Sequence, residues 1–220
     1  AMPPLPYRLD TPSAPAPAVP AHWARCVDTQ AAPPDYYAVQ EHVLRHAALP
    51  LVGRANRALD VGCGDGWFTC VIAEHSRAVT GLDLSPQYIA QARQLALERG
   101  LRHVQFAVHD AALPFRVEPA DLVSCMGLLS TLLDDTAFLR LAVQLVTHTR
   151  PGGHLITKDA VSQGAAELDT MRGTPRIYRN ANRYVATFMA LGLELVGEFH
   201  LAKGSDKRFN GLWVWRHTGD

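Results

Sequence analysis

The stretch Ala58-Leu59-Asp60-Val61-Gly62-Cys63-Gly64-Asp65-Gly66-Trp67-Phe68 decides the fold. Ala58 to Val61 is a short apolar run that reads as a buried strand. Three glycines at alternate positions make a tight turn, and Trp67 opens a helical run. Glycines in such a turn adopt positive φ and let the backbone approach a ligand closely. In an open α/β sheet, ligands sit where strands end, at the point where the strand order reverses. Dinucleotide sites carry G-x-G-x-x-G, and their third glycine permits close helix–strand packing. Here Trp67 occupies that third place, the spacing is G-x-G-x-G, and Asp60 precedes it.

Outward from the loop, strands and helices alternate. Ala78–Asp83, Val104–Val108, Ala120–Cys125 and His154–Lys158 read as strands, and Trp67–His75, Pro86–Arg99, Asp134–Thr147 and Asn180–Leu191 as helices. Ser85 before Pro86 and Gly100 after Arg99 bracket one helix, and Asp134 caps another. Arg150-Pro151-Gly152-Gly153 reads as a turn. Leu193–Leu201 and Gly211–Arg216 are two closing strands joined by a polar loop. The pattern predicts an α/β domain with a Rossmann-like, doubly wound, seven-stranded sheet. Strands one to five are parallel and the edge is an antiparallel hairpin. Tyr37–Ala48 has helical spacing, and residues 21–53 are expected to form a helical cap on a single domain, 21–220. Residues 1–20 are dense in Pro and Ala and are expected to form a flexible arm.

The second strand ends at Asp83 and the third runs to Asp110. With Asp60, three successive strands end in a carboxylate. Asp60 suits an ammonium or sulfonium better than a pyrophosphate. Asp83 can accept both hydroxyls of a ribose, and Asp110 can accept from an adenine amino group. Each aspartate alone could be a cap or turn residue. The three together, behind this loop, point to S-adenosylmethionine (SAM) rather than NAD. Over about residues 35–216 the sequence resembles the class I SAM-dependent methyltransferase family. Leu59 to Gly66 resembles its first motif, Gly81-Leu82-Asp83-Leu84-Ser85 the ribose motif and Asp110-Ala111 the adenine motif. Asp121 to Met126 resembles the fourth-strand motif, and Arg150 to Leu155 the turn before strand five. The resemblance implies SAM as cofactor, S-adenosylhomocysteine (SAH) as product, and a cofactor site of Asp60, Gly62, Cys63, Gly64, Gly66, Asp83, Leu84, Asp110, Ala111 and Met126. Met126 would lie beside the methionine part of SAM.

Methyl transfer from a sulfonium is an in-line displacement, in which the protein chiefly aligns and desolvates. A general base is needed only when the acceptor arrives protonated. Ser124-Cys125-Met126-Gly127 does not resemble the Asn/Asp-Pro-Pro-Tyr motif of amino-methylating DNA enzymes, and no aspartate pattern resembles that of metal-dependent catechol-type enzymes, so no metal is expected. Trp23, Tyr36, Tyr37, Leu129, Lys158, Tyr178 and Arg179 offer aromatic and polar groups for a small-molecule acceptor. The two tyrosines could equally pack into the core. Asp159 could act as base or bind a cationic amine, or it could cap a loop. The expected activity is N- or O-methylation of a small metabolite or natural-product intermediate. Ile156-Thr157-Lys158-Asp159 followed by Tyr178-Arg179 also faintly resembles enzymes that methylate protein N-termini, so a peptide or protein N-methyltransferase is an alternative. A non-catalytic SAM-fold partner subunit is another.

Lys plus Arg and Asp plus Glu number 21 each, so the formal net charge is zero. A nucleic-acid enzyme usually carries a basic surplus, so none is expected as substrate. Cys26, Cys63, Cys70 and Cys125 form no Cys-x-x-Cys pair and read as buried thiols in a reducing compartment. There is no secretory pattern and no apolar run of about 20 residues. A cytoplasmic monomer or homodimer, away from membranes, is expected.

Overall fold

The computed structural model describes residues 34–169, 175–203 and 207–219. The expected arm at 1–20, the first part of the cap and Trp23 lie outside the described residues. An entry helix α1, Pro34–Val43, passes through a π-helical turn, Leu44–Ala48, into a short helix α2, Leu49–Val52. The sequence places one helix over Tyr37–Ala48. The structure extends it at both ends, and the widened turn falls just ahead of Pro50. Proline has no N–H for an α-helical bond and crowds the carbonyl four residues back.

The strands are β1 Ala55–Val61, β2 Ser76–Asp83, β3 Val104–Val108, β4 Ala120–Met126, β5 Thr149–Ser162, β6 Glu167–Asp169, β7 Arg176–Asn180, β8 Leu193–Lys203 and β9 Arg208–His217. Between them lie α3 Trp67–Ala73, α4 Pro86–Glu98, α5 Asp135–His148 and α6 Ala181–Ala190. The sheet runs β3-β2-β1-β4-β5, all parallel, and β9 lies antiparallel between β5 and β8. All seven expected strands are present, and β6 and β7 are added. They form an antiparallel pair, with β7 alongside Val161–Ser162 of β5. β4 ends opposite Lys158, while β5 runs on to Ser162, and β7 takes up the freed edge. The expected turn at Pro151-Gly152-Gly153 is a bulge within β5, where pairing steps from Ala120–Thr149 to Leu122–His154.

Side chains alternate between two cores, as period-two strands require. Val123, Leu155, Trp213 and Trp215 face Phe138, Leu141 and Leu145 of α5 and Tyr184 and Phe188 of α6. Leu122, Ile156, Leu212 and Val214 face Leu44, Leu49, Val71 and Ile72 on the other side. Both faces of the sheet are therefore covered. The strand order reverses between β1 and β4, so the loops after these strands flank the crevice in which such folds bind ligands.

Candidate cofactor and acceptor site

Gly62, Gly64 and Gly66 all have positive φ, at 73°, 55° and 82°. At Gly66 an added Cβ would stand 2.7 Å from the Ala92 Cβ of α4 and 3.1 Å from the Phe106 ring. Close packing thus falls on Gly66, one residue before the place where a dinucleotide loop needs its glycine. Trp67 instead lies outside, 37% exposed, where its indole N–H donates to Glu41 at 2.7 Å and Arg99 stacks over its ring. At Gly62 a Cβ would meet Leu128 of the loop after β4 at 2.9 Å.

Asp83 closes the loop from β2. Its carboxylate accepts from the Gly64 and Ser85 backbone N–H groups at 2.9 Å each and remains partly exposed. Burial pushes its pKa up, while these N–H bonds pull it down. Asp110 accepts from Ala112 N at 2.8 Å in the turn after β3, also partly exposed, and Leu84, Ala111 and Met126 are half-buried nearby in the chain.

Asp60 departs from the expectation. It is 2% exposed, and its oxygens accept from the Thr69 and Ser124 hydroxyls at 2.6 Å each. The carboxylate is turned inward, joining β1, α3 and β4, so it positions the loop. Cys63 is corrected likewise: its thiol packs inward with Cys70, Ile89, Ala92 and Phe106, and only its backbone can serve a ligand. Ser124 and Thr69 were missed, because a partner for a buried carboxylate has no local sequence signal.

On the acceptor side, three more expectations fail. Leu129 is fully buried in the core. Arg179 is 2% exposed and fully engaged: it donates to Asp135 at 2.9 Å, to the Leu129 carbonyl at 3.0 Å and to the Leu132 carbonyl at 2.7 Å, over the Phe138 ring. It clamps β7 to the turn after β4. Asp159 is 1% exposed and accepts from Ser130 N at 2.8 Å and the Tyr184 hydroxyl at 3.0 Å. Burial raises its pKa to about 6, against these bonds and Lys158. It caps the loop, as its second reading allowed, and is shielded from any acceptor.

Lys158, one residue earlier, points to the opposite face, as strand alternation requires. Its ammonium sits 5.4 Å from the centroid of the Tyr36 ring and 3.6 Å from where a Cβ on Gly127 would stand. It makes no hydrogen bond or ion pair with the described residues. Burial lowers its pKa to about 8, Asp159 opposes the shift, and Arg176 adds to it. The Tyr36 hydroxyl is buried without a partner among the described residues, and its pKa is pushed up by burial and by Tyr37. Arg176 and Tyr178 act on the same hydroxyl, so β7 brings them to this place. Tyr37 stacks on Phe68 at 6.5 Å. Tyr36, Lys158 and Tyr178 therefore lie near one another. Arg176 was missed, because the sequence gives no strand there to aim it.

The family described as "Methyltransferase domain" matches residues 58–153, from β1 into the bulge of β5. Over residues 58–153 the chain is similar to the methyltransferase family that its sequence motifs resemble. The matched segment spans the glycine loop, Asp83, Asp110 and the β4 end, and SAM is the cofactor of the class I members of this family. The residues present fit it: a loop whose three glycines all hold positive φ, and a partly exposed carboxylate beside it. A ubiquinone biosynthesis O-methyltransferase of Cronobacter sakazakii is 32% identical over 145 residues, 62% of this chain and 58% of the relative. Its counterpart in Xanthomonas axonopodis pv. citri is 30% identical over 71% of this chain and 61% of its own length. The chain thus spans less than two thirds of these relatives. The N-methyltransferase NodS of Bradyrhizobium japonicum, solved with SAH, superposes with a TM-score of 0.70 at 21% identity, covering 91% of this chain and 96% of that one. That likeness speaks to the fold. Among the described residues no helix is long and apolar enough to cross a membrane.

Proposed function

We propose that this protein transfers the methyl group of SAM to a hydroxyl of a small aromatic acceptor. Bound SAM supplies the activated methyl on its sulfonium. The glycine loop and Asp83 carry the reading, since together they form a carboxylate-backed cradle at the switch point. Gly64 lets the cofactor lie against the backbone, while Gly62 and Gly66 set the turn and make room for Leu128 and Ala92; Asp83 accepts from the cofactor's ribose, and Asp110 accepts from its base. Asp60 acts through the loop it holds.

The choice of oxygen over nitrogen rests on the charges facing the acceptor. Lys158, Arg176, Tyr36 and Tyr178 offer cations, hydroxyls and aromatic faces. A protonated amine would call for free carboxylates. The acids nearest in the chain are already engaged: Arg208 pairs with Glu167 at 2.7 Å and Asp169 at 3.1 Å, and Asp159 is buried. This weighs against the peptide-amine alternative. The relatives named as ubiquinone biosynthesis O-methyltransferases support a hydroxyl acceptor.

The test is turnover. The protein, with SAM, is given a panel of catechols, a panel of primary amines and a Pro-initiated peptide, and SAH and methylated product are measured. Product on the catechols alone is expected. Equal or greater product on amines or peptide would contradict the reading.

A further inference from the structure

This inference rests on the reading as a SAM-dependent O-methyltransferase. We propose that Lys158 is the base that takes the proton from an acidic acceptor hydroxyl, a phenol or enol, while the Tyr36 hydroxyl donates a hydrogen bond to the same oxygen.

Two independent features converge. Lys158 of β5 carries a half-buried amine beside Gly127 and opposite Met126. Its ammonium lies over the Tyr36 ring, 5.4 Å from the centroid, and is partly withdrawn from water. Tyr36 buries a hydroxyl that has no partner among the described residues, facing the same amine across its ring. A native protein seldom leaves a buried hydroxyl unsatisfied. An oxygen that accepts from Tyr36 and gives its proton to Lys158 answers both. The groups facing Lys158 are Tyr36 from α1 and Arg176 from β7. Its strand neighbours opposite are the neutral Met126 and Leu212, and Asp159 lies beyond the sheet. Burial and Arg176 hold the amine near a pKa of about 8, so a useful fraction is neutral at physiological pH.

The step balances. The acceptor O–H proton moves to Lys158 Nζ. The oxygen lone pair forms a bond to the methyl carbon, and the carbon–sulfur bond breaks with its electrons going to sulfur. Neutral SAH and a methyl ether result, and the ammonium then returns its proton to solvent.

The test reads ionisation without needing the natural acceptor. The protein saturated with SAH, its binding checked by calorimetry, is titrated with 4-nitrocatechol, whose phenolate has its own visible absorption. Wild type is expected to bind the probe as the phenolate at a pH where the free probe is largely protonated. Lys158→Met should abolish this shift. Tyr36→Phe should keep a smaller shift. With a turned-over phenol, Lys158→Met should lose roughly 10²–10⁴-fold in rate together with the limb of the pH profile near 8, and added ethylamine should restore part of it. No shift in the wild-type complex, or an equal shift in Lys158→Met, overturns the proposal. Absence of SAH binding overturns the reading beneath it, and the proposal with it.

Discussion

Gly66 bears two constraints at once: a left-handed φ of 82° and an Ala92 Cβ 2.7 Å from where its own would stand. Gly66→Ala is therefore expected to cost about 1–3 kcal/mol through overpacking and to loosen the loop. A lower Tm with weaker SAH binding would be seen by thermal melts and calorimetry, and an unchanged Tm would contradict this packing. Asp159 makes a pH prediction. Its folded pKa of about 6 lies above the ordinary value of 3.8, so folding takes up a proton between those limits. The stability it contributes falls as pH rises through that window and stays lost above it. Asp159→Asn should remove about 1–3 kcal/mol of that loss. Urea unfolding at about pH 4.5 and about pH 7 would then show a smaller drop in the variant than in wild type. At this scale the sequence was legible for backbone and misleading for side chains. The glycines and Asp83 stand where their spacing puts them. Asp60, Leu129, Asp159 and Arg179 sit at the right loops but face inward, because direction depends on partners such as Ser124, Ser130 and Asp135 that lie far off in the chain.

Among the elements, the five parallel strands and the closing hairpin were readable because each is an apolar run of ordinary length. β6 and β7 were not. β6 has three residues, too few for alternation to register, and β7 owes its place to the unpaired end of β5. Yet β7 brings Arg176 and Tyr178 to the acceptor side and carries the Arg179 clamp. Arg179→Ala would leave the Leu129 and Leu132 carbonyls without their donor and Asp135 without its ion-pair partner, at a cost of roughly 1–3 kcal/mol. Chemical denaturation should show it, and Arg179→Lys should recover only part, since one ammonium cannot copy the guanidinium fork. Full stability in Arg179→Ala would mean the clamp is dispensable.

At the scale of the molecule, the strand order, both covered faces and the reversal between β1 and β4 follow from the alternation of strands and helices. What the chain methylates does not, because the acceptor walls come from three separated segments, α1, the β5 end and β7. Ligand linkage offers a whole-molecule check. SAH at about a hundred times its Kd adds about 2.7 kcal/mol, which at this chain length raises Tm by about 5–10 °C.

The central claim, that the loop and Asp83 form a SAM site, is tested most directly by calorimetric titration of SAM and of NAD into wild type and Asp83→Ala. SAM should bind wild type at a single site, Asp83→Ala should bind it about 10–100-fold more weakly through loss of charged hydrogen bonds, and NAD should give no binding. Absence of SAM binding at millimolar concentration, or binding of NAD in its place, would contradict the account.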